Sequence, residues 1–249
     1  MDNNYRFEQI SDNIFVCVSN EHIFGTDAFL MSSFCDAKRN DIVCELGTGC
    51  GIISQILCTK NAPKKIYAVD IQENAIEQLK EGIEKSGLSE NIVPVLADLK
   101  QITCKNGLKR EIILDENGFD LVICNPPYKK AKSGIVNPDD SKAIARHEIM
   151  CDINDVCACA SRLLKYGGRL CLCQRPERLA DVICAMRNND IEPKKIRFVS
   201  KDKESEAWLF LIEGRKGGSP FLNVMPGLFV SESNQENLSS RLYGAGGSI

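Results

Sequence analysis

The chain has 249 residues, with 31 Lys and Arg against 34 Asp and Glu for a formal net charge of −3; 43% of it is hydrophobic and 26% charged. That balance excludes a disordered or collagen-like chain, and the length allows one large domain or two small ones. The acidic total argues against a uniformly basic nucleic-acid coat but leaves room for a local basic patch.

The first ten residues hold no basic stretch followed by an apolar one, and no window reaches ~18 consecutive apolar residues, so a cytoplasmic protein without a membrane span is expected. Ile14-Phe-Val-Cys-Val18 reads as a strand, and Thr26-Asp27 as the cap of a helix carrying Phe29, Leu30 and Phe34. An alternation then begins. Ile42 to Leu46 reads as a buried strand, followed after glycines by Ile52, Ile53, Ile56 and Leu57 at helical spacing. Ile66 to Val69 is a second strand, and Ile76, Leu79 and Ile83 mark one face of a helix that Gly87 stops. Ile92 to Ala97 is a third strand, which Pro94 places near a sheet edge. Phe119 to Cys124 is a fourth strand and Leu170 to Cys173 a fifth. Between them lies a helix with Val156, Ala160, Leu163 and Leu164, ended by Gly167-Gly168. A helix with Leu179, Val182, Ile183 and Met186 follows. Lys195 to Ser200 and Ala207 to Ile212 are then two strands with only a short charged connector, which predicts an antiparallel hairpin at the sheet edge. The pattern predicts an α/β fold, a doubly wound and mostly parallel sheet covered on both faces. The stretches 100–117 and 129–146 exceed ordinary connector length, and the second is the better lid candidate.

Thirteen cysteines lie mostly inside apolar runs, with no Cys-x-x-Cys pair and only two histidines in the chain. They read as reduced core residues, with neither a disulfide frame nor a metal site.

Glu45-Leu-Gly-Thr-Gly-Cys-Gly51 falls between the first parallel strand and its helix. Glycines there permit a sharp turn and a close approach of the backbone to a ligand, or simply a tight turn. The spacing of Gly47, Gly49 and Gly51 departs from the Gly-x-Gly-x-x-Gly dinucleotide fingerprint. Asp70 closes the second strand, where a carboxylate can accept from ribose hydroxyls, and Asp98 closes the third. Each acid alone is also compatible with a turn or cap. Glu45 beside the loop would repel a phosphate and attract a cation, so the ligand expected is an adenosine carrying positive charge, which S-adenosylmethionine satisfies.

Asn125-Pro126-Pro127-Tyr128 follows the fourth strand directly. The prolines hold an extended geometry in which the Asn125 side-chain carbonyl and the Pro126 backbone carbonyl are two rigid acceptors. Such a pair suits a planar exocyclic amine, freeing its lone pair from conjugation, and Tyr128 offers a ring on which a base can stack.

In this order, the glycine loop, Asp70, Asp98 and Asn125-Pro-Pro-Tyr128 resemble the class I S-adenosylmethionine-dependent methyltransferases that act on amino nitrogens. Phe24-Gly-Thr-Asp27, Ala145-Arg-His-Glu148 and Glu213-Gly-Arg-Lys-Gly-Gly218 resemble, more narrowly, the bacterial tRNA(Val) adenine-37 N6-methyltransferase family. The resemblance covers roughly residues 5 to 230. It implies a seven-stranded Rossmann-like sheet with the last strand antiparallel. The domain is expected to span 41–230 with an N-terminal segment 1–40 packed on it, and the Ser-, Asn-, Gln- and Gly-rich stretch 231–249, outside the resemblance, reads as a polar flexible tail. The resemblance also implies that Thr26 and Asp27 lie near the methionine end of the cofactor, and that Asn125 to Tyr128 form the base pocket. Glu45, Gly47, Thr48, Gly49, Gly51, Asp70, Ile71, Asp98, Leu99 and Asn125 would complete the cofactor site.

Charge divides unevenly along the chain. Residues 66–98 hold two basic against seven acidic side chains, a net of −5, whereas residues 125–178 hold ten against six, a net of +4. Lys129, Lys130, Lys132, Lys142 and Arg146 follow the Asn-Pro-Pro-Tyr motif, and Arg215 and Lys216 stand near glycines. These cations, His147 and Tyr128 are the candidate contacts to an RNA substrate, tRNA by the resemblance, with a solvated loop as the alternative. His22 reads as structural. A glutamine N5-methyltransferase acting on a release factor makes the same demands on Asn-Pro-Pro-Tyr, though that resemblance would call for a helical domain ahead of Ile42. A guanine N2-methyltransferase of ribosomal RNA and a non-catalytic RNA-binding module are the remaining alternatives.

Overall fold

The computed structural model describes residues 5–19, 23–102, 114–126 and 151–230. The expectations placed on His22, Pro127, Tyr128, Lys129, Lys130, Lys132, Lys142, Arg146 and His147, on the 129–146 stretch and on the 231–249 tail lie outside the described residues.

Strands β1 (Arg6–Ser11) and β2 (Ile14–Val18) form an antiparallel hairpin, and helix α1 (Thr26–Phe34) follows. The alternation is then β3 (Ile42–Leu46), α2 (Ile52–Asn61), β4 (Lys65–Asp70), α3 (Glu73–Lys85) and β5 (Ile92–Leu96). After β6 (Phe119–Cys124) come α4 (Ile153–Leu163), β7 (Leu164–Gln174), α5 (Leu179–Asn188), β8 (Ile191–Ser200) and β9 (Ala207–Lys216). The strand order is β5-β4-β3-β6-β7-β9-β8. The first five are parallel, and β9 runs antiparallel to both β7 and β8. These seven strands match the expected mostly parallel arrangement with its antiparallel hairpin, within a described sheet of nine strands. Two short strands, β10 (Asn223–Val224) and β11 (Leu228–Phe229), pair with the outer side of β8, so the hairpin does not itself form the rim. Pro94 does stand on an edge strand, β5.

Side chains that alternate along each strand divide two cores between the faces of the sheet. Val43, Leu121, Ile123, Cys171, Leu209 and Leu211 pack towards α1, α2, α3 and the N-terminal hairpin. Cys44, Val122, Leu170, Leu172, Phe210 and Ile212 pack towards α4 and α5. The period of two thus serves both layers of a doubly wound sheet.

The hairpin docks on α3 along a ridge of residues four apart. Gln78 Nε2 donates to Cys17 O at 3.1 Å, and Phe15 N donates to Ser86 Oγ at 2.9 Å. Between them, a Cβ on Gly82 would lie 3.2 Å from Phe15 O.

Two local expectations are corrected. Gly25, not Thr26 or Asp27, is the N-cap of α1, and Asp27 lies within the first turn. Gly167-Gly168 does not end a helix, because α4 stops at Leu163 and β7 begins at Leu164. The glycines instead form an irregularity in the β6–β7 register, where Gly167 has φ +77 and a Cβ on Gly168 would come within 2.9 Å of Lys165 O.

Candidate active site

A parallel sheet opens a crevice at the carboxyl ends of its strands, at the point where strand order reverses. Here the chain runs outward from β3 to β4 and β5, then returns to place β6 on the other side of β3. At those ends lies a cavity of about 570 Å³ walled by Gly47, Gly49, Asp70, Ile71, Asp98, Leu99, Asn125 and Pro126. The carboxyl ends of β3, β4, β5 and β6 therefore meet in one crevice.

The glycine loop owes its shape to the end of β4. Gly47 N and Thr48 N both donate to Val69 O at 2.9 Å, and Gly49 N donates to Asp70 Oδ2 at 2.9 Å. Gly47 and Gly49 have φ of +71 and +53, and a Cβ on either would meet no protein atom within 4 Å. Left-handed backbone and an open cavity face thus coincide at both positions. Gly51 has a different reason to be glycine: it caps α2 at φ +78, and a Cβ there would collide with Leu79 Cδ1.

Asp70 is held by two backbone donors, Gly49 N and Gln72 N, one on each oxygen. Asp98 Oδ1 accepts from Lys100 N at 2.9 Å. A carboxylate has about four acceptor positions, so both acids keep acceptor capacity at the cavity wall. Asn125 is held on both sides of its carboxamide. Its Nδ2 donates to Asp27 Oδ2 at 3.0 Å, and its Oδ1 accepts from Cys173 Sγ at 3.0 Å.

Thr26, Asp27, Glu45, Thr48 and Gly51 do not line the cavity. Glu45 is buried behind the glycine loop, where the hydroxyls of Thr48 and Ser54 donate to Oε2. Burial pushes its carboxyl up to about 7, against the opposing effect of these hydrogen bonds. In this position Glu45 ties the loop to the start of α2.

The structure does not bring Arg215 and Lys216 to the crevice. Because β9 runs antiparallel to β7, Arg215 pairs with Arg169, whereas Phe210 pairs with Gln174 at the cavity end. Five residues of strand set Arg215 roughly 17 Å from that end. Lys216 Nζ donates to Ser161 O, Leu164 O and Asn117 Oδ1, satisfying carbonyls at the end of α4. Arg215 lines a second cavity of about 540 Å³ at the opposite end of the sheet. Charges there pair with one another, as in Arg169 with Asp41 at 2.9 Å and Lys195 with Glu213 at 3.0 Å.

Further wall residues went unrecognised in the sequence: Gln174 at the end of β7 and Arg178 beyond it, and Cys151, Asp152, Ile153 and Val156 at the start of α4. The carboxyl end of the fifth parallel strand was the signal for the first two. Desolvation pushes the thiols of Cys50, Cys151 and Cys157 up to about 12, so none of these three is a thiolate nucleophile at neutral pH. Among the described residues no group of three or more His, Cys, Asp and Glu is placed to hold a metal ion. No described helix is long and apolar enough to cross a membrane.

Comparison with known proteins agrees with this architecture. The chain is 28% identical over 144 residues to a tRNA1(Val) (adenine(37)-N6)-methyltransferase of Dyadobacter fermentans, a match covering 58% of this chain and 55% of that relative's length. It is 27% identical over 190 residues to the protein of the same name in Parabacteroides distasonis, covering 76% and 75% of the two chains. A predicted O-methyltransferase from Agrobacterium tumefaciens shares the fold, with a TM-score of 0.67 at 19% identity over 88% of this chain and 97% of that one. A family model described as a methyltransferase domain matches residues 37–214, from the residues ahead of β3 to Gly214 within β9. With its cavity at the switch point of the sheet and that match across most of its length, the chain belongs to the methyltransferase domain family.

Proposed function

We propose that the protein transfers the methyl group of S-adenosylmethionine to the exocyclic N6 of an adenine in RNA, with adenine 37 of tRNA(Val) as the target. The observation that carries this reading is the position of Asn125 and Pro126, on the wall of the same cavity as Gly47, Gly49, Asp70 and Asp98. The residues present fit the cofactor. The two glycines leave space that a Cβ would fill, the carboxylates of Asp70 and Asp98 offer acceptors to hydroxyl and amino groups, and Ile71 and Leu99 add apolar surface. When bound, the cofactor supplies a methyl carbon activated by its sulfonium.

The chain contributes position and hydrogen-bond acceptors. Asn125 Oδ1 and the Pro126 carbonyl accept the two N–H groups of the target amine and turn its lone pair out of conjugation. As positive charge develops on that nitrogen, both hydrogen bonds strengthen, which lowers the barrier without a covalent intermediate. The relatives named for tRNA support RNA as the partner. The described cysteines are all unbridged, which suits a reducing cytoplasm. Tritiated methyl transfer onto total tRNA and onto a peptide-chain release factor tests the reading: label is expected in tRNA as N6-methyladenosine. Label in the protein instead would replace adenine by glutamine as the target.

A further inference from the structure

Asn125 is the residue whose orientation matters most to the proposed reaction, because its carboxamide presents an acceptor at one end and a donor at the other. Only the oxygen helps a target amine. Two neighbours, distant in sequence, specify the same orientation. Asp27 Oδ2 accepts from Nδ2 at 3.0 Å, and the Cys173 thiol donates to Oδ1 at 3.0 Å. A flipped carboxamide would set Oδ1 against the Asp27 carboxylate, acceptor facing acceptor.

We infer that Asp27 is a positioning residue of the methyl-transfer site, acting through Asn125 and not on the cofactor. Asp27 is absent from the described cavity wall that Asn125 lines, and the hydrogen bond to Nδ2 couples it to that wall. That bond polarises as well as orients. Donation from Nδ2 to an anion draws electron density onto Oδ1 and makes it a stronger acceptor. Cys173 complements this, since a thiol is a weak donor and draws little electron density from Oδ1. In the transfer step the target nitrogen's lone pair forms the new N–C bond and the methyl C–S bond breaks with its electron pair on sulfur. The surplus proton then leaves the nitrogen for water. Asp27 places negative charge behind the acceptor that meets the developing cation.

Gly25 belongs to the same device. It caps α1 at φ −114, a conformation any residue adopts, so backbone geometry does not demand glycine there. A Cβ would stand 2.7 Å from Asp27 Oδ1. Alanine at this position therefore displaces the carboxylate without removing its charge or disturbing the core.

The inference rests on the proposed role of Asn125, and its test separates the two. Asp27→Asn and Gly25→Ala are compared with the wild type in three measurements: kcat at saturating tRNA, S-adenosylmethionine affinity by calorimetry, and the side-chain amide resonances of Asn125. Asp27→Asn is expected to lose about tenfold or more in kcat, in line with the cost of a misplaced or weakened catalytic group, while cofactor affinity stays within about twofold. Gly25→Ala should lose kcat in the same direction, and the Asn125 Nδ2 proton should move upfield in both variants. Unchanged kcat, an unmoved resonance, or a loss of cofactor affinity as large as the loss of rate would overturn the inference. A wild-type protein that methylates no RNA would overturn the proposed function instead, and the resonance would still decide whether Asp27 holds Asn125.

Discussion

Replacing Glu45 by glutamine should change how stability depends on pH. The carboxyl is 2% exposed and is pushed by desolvation from an ordinary 4.5 to about 7. The folded chain therefore retains the Glu45 proton at pH values where the unfolded chain has released it. This group's contribution is fully present below pH 4.5 and disappears as pH rises through 7. At about 1.4 kcal/mol per pH unit between the two values, the wild type loses about 3 kcal/mol from this group by pH 8. Glutamine preserves the shape and an acceptor for Thr48 and Ser54 but cannot ionise. Urea unfolding of both proteins from pH 4.5 to 8 should show the difference moving about 3 kcal/mol in favour of Glu45→Gln as pH rises. Parallel profiles would show that Glu45 titrates as an ordinary carboxylate, and a wild type that gains on the variant with rising pH would show a carboxyl held below the ordinary range; either refutes the burial argument.

Gly51→Ala combines a left-handed backbone with a collision against Leu79, so denaturant unfolding should show a loss of about 2–4 kcal/mol; a loss below about 0.5 kcal/mol would mean that the loop relaxes freely. Asp98→Ala should weaken S-adenosylmethionine binding in calorimetry by about tenfold or more while leaving the melting temperature of the ligand-free chain within about 2 °C, and unchanged affinity would remove Asp98 from the cofactor site. Lys216→Met should cost about 1–3 kcal/mol in thermal unfolding, because the carbonyls of Ser161 and Leu164 lose their charged donor; no loss would make these bonds dispensable.

The parts of the fold visible in the sequence are those whose periodicity comes from burial. β3, β4, β6 and β7 carry apolar runs because both faces of the sheet are covered, and α3 shows Ile76, Leu79 and Ile83 on its buried face. β1 escaped notice because no residue of the hairpin strand Arg6–Ser11 is buried, and it is polar enough to lack an alternating signature. β10 and β11 are two residues each, too short for any period. The glycine loop, Asp70, Asp98 and Asn125 were legible because each lies at or just beyond the end of a parallel strand, and strand ends converge by topology. The contact between Asp27 and Asn125 spans 98 positions and has no local signature. Arg215 and Lys216 misled through their glycine-rich surroundings; the direction of the hairpin already implied that the end of β9 lies away from the crevice.

The central claim, methyl transfer to the N6 of adenine 37, is tested most directly on unmodified tRNA(Val) transcripts. The protein is incubated with S-adenosylmethionine and either the natural transcript or one with guanine at position 37, and the products are digested and mapped by mass spectrometry. The account predicts one N6-methyladenosine at position 37 of the natural transcript, none in the guanine variant, and none with Asn125→Ala despite retained cofactor binding. Methylation at another nucleotide, or full activity of Asn125→Ala, would contradict it.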